Sequence, residues 1–163
     1  MQWEVINNPK SILHEYHLMD SGECKVIVKY NPIHQSARVT CGNHQRLFFI
    51  ESSGSLSGKA IFKNEYGMEI GSITHDRWHL SEGNITIDDK KFHYGFKNNP
   101  LVELTIYNSI TQQPLVSCGL KVNNSGNGLT IVTTPIEANC FLLSLCWYLF
   151  LPIAKENLAE YAA

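Results

Sequence analysis

The chain has 163 residues, room for one domain with a sizeable core, and its 44% hydrophobic and 17% charged residues are those of a globular protein. Thirteen Lys and Arg against fifteen Asp and Glu leave a formal charge of −2, which argues against nucleic-acid binding over a broad basic face. Five cysteines (Cys24, Cys41, Cys118, Cys140 and Cys146) fit neither a disulfide framework nor a CxxC zinc site, and read as reduced, mostly buried thiols of a cytoplasmic protein.

Residues 1–24 have no basic and apolar leader pattern, so no secretory signal is expected there. "WEVI" and "ILHEYHLM" read as edge strands that help close a sheet, the second alternatively as a short helix. From residue 25 to 134 the chain is a succession of short runs with a period of two. "KVIVKY" opposes Lys25, Ile27 and Lys29 to Val26, Val28 and Tyr30, and "KAIFK" opposes Lys59, Ile61 and Lys63 to Ala60 and Phe62. "KKFHYGFK" sets Phe92, Tyr94 and Phe96 apart from Lys91, His93 and Lys97, and "LVELTIYN" and "LVSCGLKV" alternate in the same way. Such alternation places one face of each strand in a core and the other in water. "SARVT", "RLFFIE", "MEIGSIT", "NITID" and "LTIVTT" bring the set to about ten to twelve strands. Gly-, Asn- and Pro-rich turns separate them, "NNSGNG" among these as a hairpin loop, and no helical segment interrupts the series. The expectation is one domain, an antiparallel barrel or sandwich of about twelve strands.

Residues 135–151 follow a helix-start signature, with Thr134 as N-cap, Pro135 at the first helical position and Glu137 as the capping carboxylate. Pro152 discourages continuation into the polar tail, residues 152–163. Seventeen helical residues span roughly 25 Å, but the unbroken apolar part, Cys140 to Leu151, is shorter than the ~20 residues that cross a bilayer. The helix is apolar on every azimuth, so it needs surroundings on every side. A closed sheet wrapped around it supplies them; a membrane anchor is the alternative.

Two stretches, "FKNEYGMEIGSITHDRWHL" (62–80) and "TPIEANCFLLSLCWYLFL", resemble the tubby C-terminal-like superfamily, which includes tubby proteins, phospholipid scramblases and LURP-one-related proteins. The resemblance implies a twelve-stranded barrel threaded by a hydrophobic helix. It also implies a non-enzymatic module that recognises phospholipid head groups, a membrane surface or a protein partner, either cytoplasmic or peripheral to a membrane. The cysteine-rich palmitoylation segment of scramblases is absent.

For an anionic head group the candidate ligands are Lys25, Lys29, Lys59 and Lys63, which would form one patch if their two strands are neighbours. Otherwise they are ordinary outward lysines that keep a barrel soluble. His75 and His79 in "HDRWH" would lie roughly 13 Å apart along an extended strand, too far for one ion, and are expected to organise a turn with Asp76, Arg77 and Trp78. His14, His17, His34 and His44 lack carboxylate companions at metal spacing. Hence no metal, cofactor or catalytic residue is expected. A hydrolase using an exposed Cys or His is the remaining alternative, with Cys24 and Cys41 beside turns as the thiols to consider.

Overall fold

The computed structural model describes residues 1–6, 8, 10–53, 58–75, 81–98, 102–121, 142 and 144–149. The expected strand "LTIVTT", the helix cap at residues 134–137, the tail 152–163, the "NNSGNG" loop and the turn residues 76–80 lie outside these.

Eleven strands form among the described residues: β1 Gln2–Ile6, β2 His14–Asp20, β3 Glu23–Asn31, β4 Ser36–Cys41, β5 His44–Ser53, β6 Lys59–Lys63, β7 Glu69–His75, β8 Glu82–Ile87, β9 Lys90–Asn98, β10 Val102–Asn108 and β11 Pro114–Lys121. Each pairs with its neighbour in sequence, and the sheet closes where β1 meets β11. The "ILHEYHLM" segment is a strand, not a helix, because its alternation sends Tyr16 and Leu18 into the core while Glu15 and His17 stay at the surface.

Local chemistry sets the meander. Ser21 and Gly22 between β2 and β3, and Asp88 and Asp89 between β8 and β9, all have positive φ, the two-residue turn whose twist matches that of the flanking strands. The closing seam departs from the expectation of a wholly antiparallel sheet. β1 runs parallel to β11, with Gln2 opposite Gly119, Trp3 opposite Leu120 and Glu4 opposite Lys121. Two strands so far apart in sequence need no hairpin between them, so the N-terminal strand is free to enter in either direction.

Inward-facing side chains form layers that follow the register. Trp3, Leu18, Val26 and Cys41 are successive partners across β1 to β4, and all are buried. Ala60, Ile73 and Ile85 continue the lining on β6 to β8. Eight strands give a barrel that wall side chains alone can fill, and diameter grows with strand number, so eleven leave a lumen. The helix fills it. Leu142, Ser144, Leu145, Cys146, Trp147 and Leu149 are buried, and Trp147 is 2% exposed. The Trp147 ring packs against Tyr16 and Tyr30 at 5.4 and 5.3 Å, Tyr148 meets Phe62 edge-on at 5.3 Å, and Cys146 lies against Cys118 of β11. These partners belong to widely separated parts of the wall, so the helix is gripped from several sides. No helix among the described residues is long and apolar enough to cross a membrane.

Three polar wall positions, Ser72 on β7, Thr105 on β10 and Ser117 on β11, are drier than the alternation implies. Thr105 and Ser117 face each other across β10 and β11 and are buried; the Ser117 hydroxyl donates to Glu103 at 2.5 Å, which satisfies it.

Truncating the residue most surrounded by lining should be costly. Trp147→Ala is expected to lower unfolding free energy by about 3–5 kcal/mol, read as a fall in the urea midpoint; a change below about 1 kcal/mol would contradict the helix's place in the core.

Candidate functional site

The four lysines do not converge. Lys25 and Lys29 lie on β3 and Lys59 and Lys63 on β6, with β4 and β5 between them, a separation of three strand spacings or roughly 14 Å. Three of the four face carboxylates. Lys25 pairs with Glu23, Lys29 with Glu15 at 3.4 Å, and Lys63 with Glu51 at 2.6 Å. Glu15 also accepts from His17 at 2.7 Å, and its carboxyl is held below the ordinary value first by His17 and then by Lys29. These exposed pairs stabilise little, yet they spend the charge that an anionic ligand would need.

Lys59 has no ion-pair partner among the described residues, nor do several other surface cations, but two unpaired arginines border a groove. Arg38 on β4 and Arg46 on β5 border a groove of about 630 Å³, whose other lining includes Leu47, Phe48, Tyr66 and Ile70. Its origin is a mismatch of strand length. β5 runs for ten residues but β6 for only five, so β6 reaches only to Lys63, opposite Phe49. Beyond Lys63 the chain is turned aside. The Asn64 side chain accepts from the backbone N–H of Tyr66 and of Met68, both at 3.0 Å, and Gly67 takes the positive φ that the turn requires.

Side-chain parity confirms that this groove is a notch in the wall. Arg38 and Leu47 are partners on the outer face, whereas Arg46 stands opposite buried Val39 on the inner face. Both faces are reached because the β4–β5 hairpin runs past the end of β6 at the rim of the barrel. Glu65 is the one carboxylate in the lining. The electrostatic balance at the notch is therefore positive, in a chain whose total is not.

A second polar constellation lies inside the wall. His75, Gly83 and Tyr94 are successive cross-strand partners on β7, β8 and β9. Because Gly83 has no side chain, the Tyr94 ring lies across it and reaches His75, where its hydroxyl donates to Nδ1 at 2.5 Å. Burial pushes the Tyr94 phenol well above its ordinary value and the His75 imidazole below, so tyrosine is the donor and neutral histidine the acceptor. His75 thus serves a cross-strand bond, while its expected turn partners Asp76, Arg77 and Trp78, and His79, lie outside the described residues.

The thiols do not form a nucleophilic arrangement. Cys118 and Cys146 are buried; Cys24 is exposed, but partial burial and then Glu15 and Glu4 push its thiol up, opposite to what a nucleophile needs. Cys41 corrects the expectation of uniformly reduced thiols and of an exposed turn cysteine, because it is buried and disulfide-bonded. Among the described residues no group of three His, Cys, Asp or Glu side chains is placed to hold a metal ion.

In comparisons with known proteins, the chain matches no family model, no curated protein and no solved structure.

The notch would have been hard to find from sequence. Its arginines sit on strands of opposite parity, and the available signal was the contrast between a long "HQRLFFIESS" run and a short "KAIFK" run.

Two measurements check the His75–Gly83–Tyr94 row. A Cβ on Gly83 would lie 2.2 Å from the Thr74 carbonyl oxygen and 2.5 Å from the Tyr94 hydroxyl, so Gly83→Ala should destabilise by about 1–3 kcal/mol or more. Gly95→Ala, with nothing within 4 Å, should stay within about 0.5 kcal/mol in the same urea titration. His75 binds its proton less readily folded than unfolded. Its contribution is therefore complete above the unfolded value of 6.5 and is lost as pH falls from there through the depressed folded value. Glu15 and Glu23, already below 4.5, act in a lower window. Stability should thus fall as pH drops below 6.5, and His75→Gln should flatten that fall; an unchanged slope in the variant would reject the assignment.

Proposed function

We propose that this chain is a non-enzymatic binding module of the tubby-like kind, and that its ligand presents an anionic group to the notch between Arg38 and Arg46. The observation that carries this reading is the pair of arginines without ion-pair partners among the described residues, set around a groove with an apolar floor. A guanidinium offers five donors in a fixed fork and suits phosphate or carboxylate oxygens. Leu47, Phe48 and Ile70 lower the local dielectric and strengthen such contacts.

Within the same proposal belong the twelfth strand, the full helix over residues 135–151 as the barrel's central pillar, and kinship with the tubby C-terminal-like superfamily. Support comes from the closed eleven-stranded wall and from the apolar helical residues packed against its inner face. The module would work in the cytoplasm or at a membrane surface. The lysine patch is replaced by the arginine notch as the place where an anionic phospholipid or another acidic ligand is held.

Calorimetry with inositol hexakisphosphate and co-sedimentation with vesicles containing a phosphoinositide, both at low salt, test the anion reading. Arg38→Ala and Arg46→Ala should each weaken binding several-fold, while Lys25→Ala and Lys59→Ala change it little. Binding that ignores both arginines would remove the proposal.

A further inference from the structure

The notch exposes backbone as well as side chains. The Ile50 N–H donates to the Gln35 carbonyl at 2.8 Å, which fixes the parity of β5: Ile50, Phe48 and Arg46 turn their backbone groups toward β4. The alternate residues Gln45, Leu47, Phe49 and Glu51 turn theirs the other way. On that side Phe49 meets Lys63 and Glu51 meets Ile61, but Gln45 and Leu47 lie past the end of β6. Among the described residues no backbone hydrogen bond reaches Gln45 or Leu47 from the notch side. Two N–H and two C=O groups of one strand therefore face an open groove in a sheet whose strand order closes on itself.

Such an edge is a template for an added strand. Three residues of an extended segment would span it, one opposite each of Gln45, Arg46 and Leu47. Side chains of the first and third would point outward, beside Leu47 and toward Arg38 and Tyr66. The middle one would point inward beside Arg46, where cross-strand partners lie about 5 Å apart. An acidic residue in the middle would meet Arg46, and its outward neighbours would cover Leu47. A free head group would satisfy the guanidiniums and leave the four backbone groups unpaired. A lysine-rich segment would meet two arginines.

We infer that the ligand of the notch is a short, acidic, extended peptide segment, which continues the sheet by pairing with the backbone of Gln45 and Leu47 while the carboxylate of its inward-facing middle residue meets Arg46 and its outward neighbours cover Leu47. This rests on the anion reading above and deepens it.

The probe is a blocked pentapeptide alternating valine and glutamate, added to the full-length protein. Its binding should shift the backbone amide resonances of Gln45 and Leu47 and slow their exchange with solvent. N-methylation of the peptide on its strand-pairing edge should weaken binding tenfold or more, whereas N-methylation on the opposite edge should have little effect. Arg46→Glu should abolish binding of this peptide and admit one alternating valine and lysine, a charge reversal that a merely structural arginine would not produce. Equal binding of both N-methylated forms, or unmoved Gln45 and Leu47 amides, would overturn strand addition. If inositol hexakisphosphate still requires the arginines in that case, anion recognition survives without it; if neither probe requires them, both fall. Concentration-dependent dimerisation that blocks the peptide and moves the same amides would overturn the acidic-peptide assignment in favour of a second copy of this chain.

Discussion

Eleven strands cannot close around nothing. A wall of that circumference leaves a lumen wider than its own side chains can fill, and an unfilled apolar cavity costs both transfer energy and lost dispersion contacts. The apolar helix is the complement: its described residues are almost all apolar and buried, and among the described residues it is what fills the lumen. Each makes the other possible. Trp147 shows the exchange at one residue, since its ring gives the inward tyrosines of β2 and β3 a partner and is itself removed from solvent by them. Edge-on and tilted aromatic pairs of this kind add about 0.5–1.5 kcal/mol each beyond the area they bury. The strands can be short and the turns varied because closure, once achieved, removes both sheet edges along most of the wall.

That dependence explains what was legible in the sequence. Alternation in "KVIVKY", "KAIFK" and "KKFHYGFK" is local, and it correctly separated Val26, Val28, Phe62 and Tyr94 from the lysines opposite them. The apolar run near residue 145 could be read as a buried helix because its composition excludes a wet face. The parallel β1–β11 seam was not legible. It depends on which two strands remain unpaired after the meander is laid out, a property of the whole sheet and not of "WEVI". The second strand was ambiguous for the same reason, since Tyr16 and Leu18 declare a face only once β1 and β3 flank them.

The candidate site was less legible, for an electrostatic reason. A lysine on a strand face reveals its direction but not its neighbours. Lys29 was visible as an outward cation, but Glu15, which neutralises it, lies on another strand and is placed by the β2–β3 register. Arg38 and Arg46 looked unrelated because they point to opposite faces, and such residues share a site where a hairpin overhangs its neighbour at the barrel rim. Knowing where that happens requires knowing that β6 ends at Lys63 while β5 continues past it. The three-residue row of His75, Gly83 and Tyr94 was hidden in the same way, because a glycine signals nothing until the strands on either side of it are known.

The notch also has to be reconciled with stability, because an open strand edge invites indiscriminate pairing. Three features confine it here. The gap exposes the backbone of two residues, Gln45 and Leu47, which is too little for a strand to form without further contacts. It is bordered by two arginines, so a cationic strand is repelled on both faces of the sheet. Its far side is fixed by the Asn64 turn, whose side-chain bonds to Tyr66 and Met68 hold the chain away from β5 and keep β6 from extending into the space. The fold carries a long strand beside a short one, with a hydrogen-bonded turn to maintain the difference. A gap held open by specific turn chemistry, with charge set around it, has the attributes of a receptor for one class of extended segment, and a simple defect in closure would need none of them.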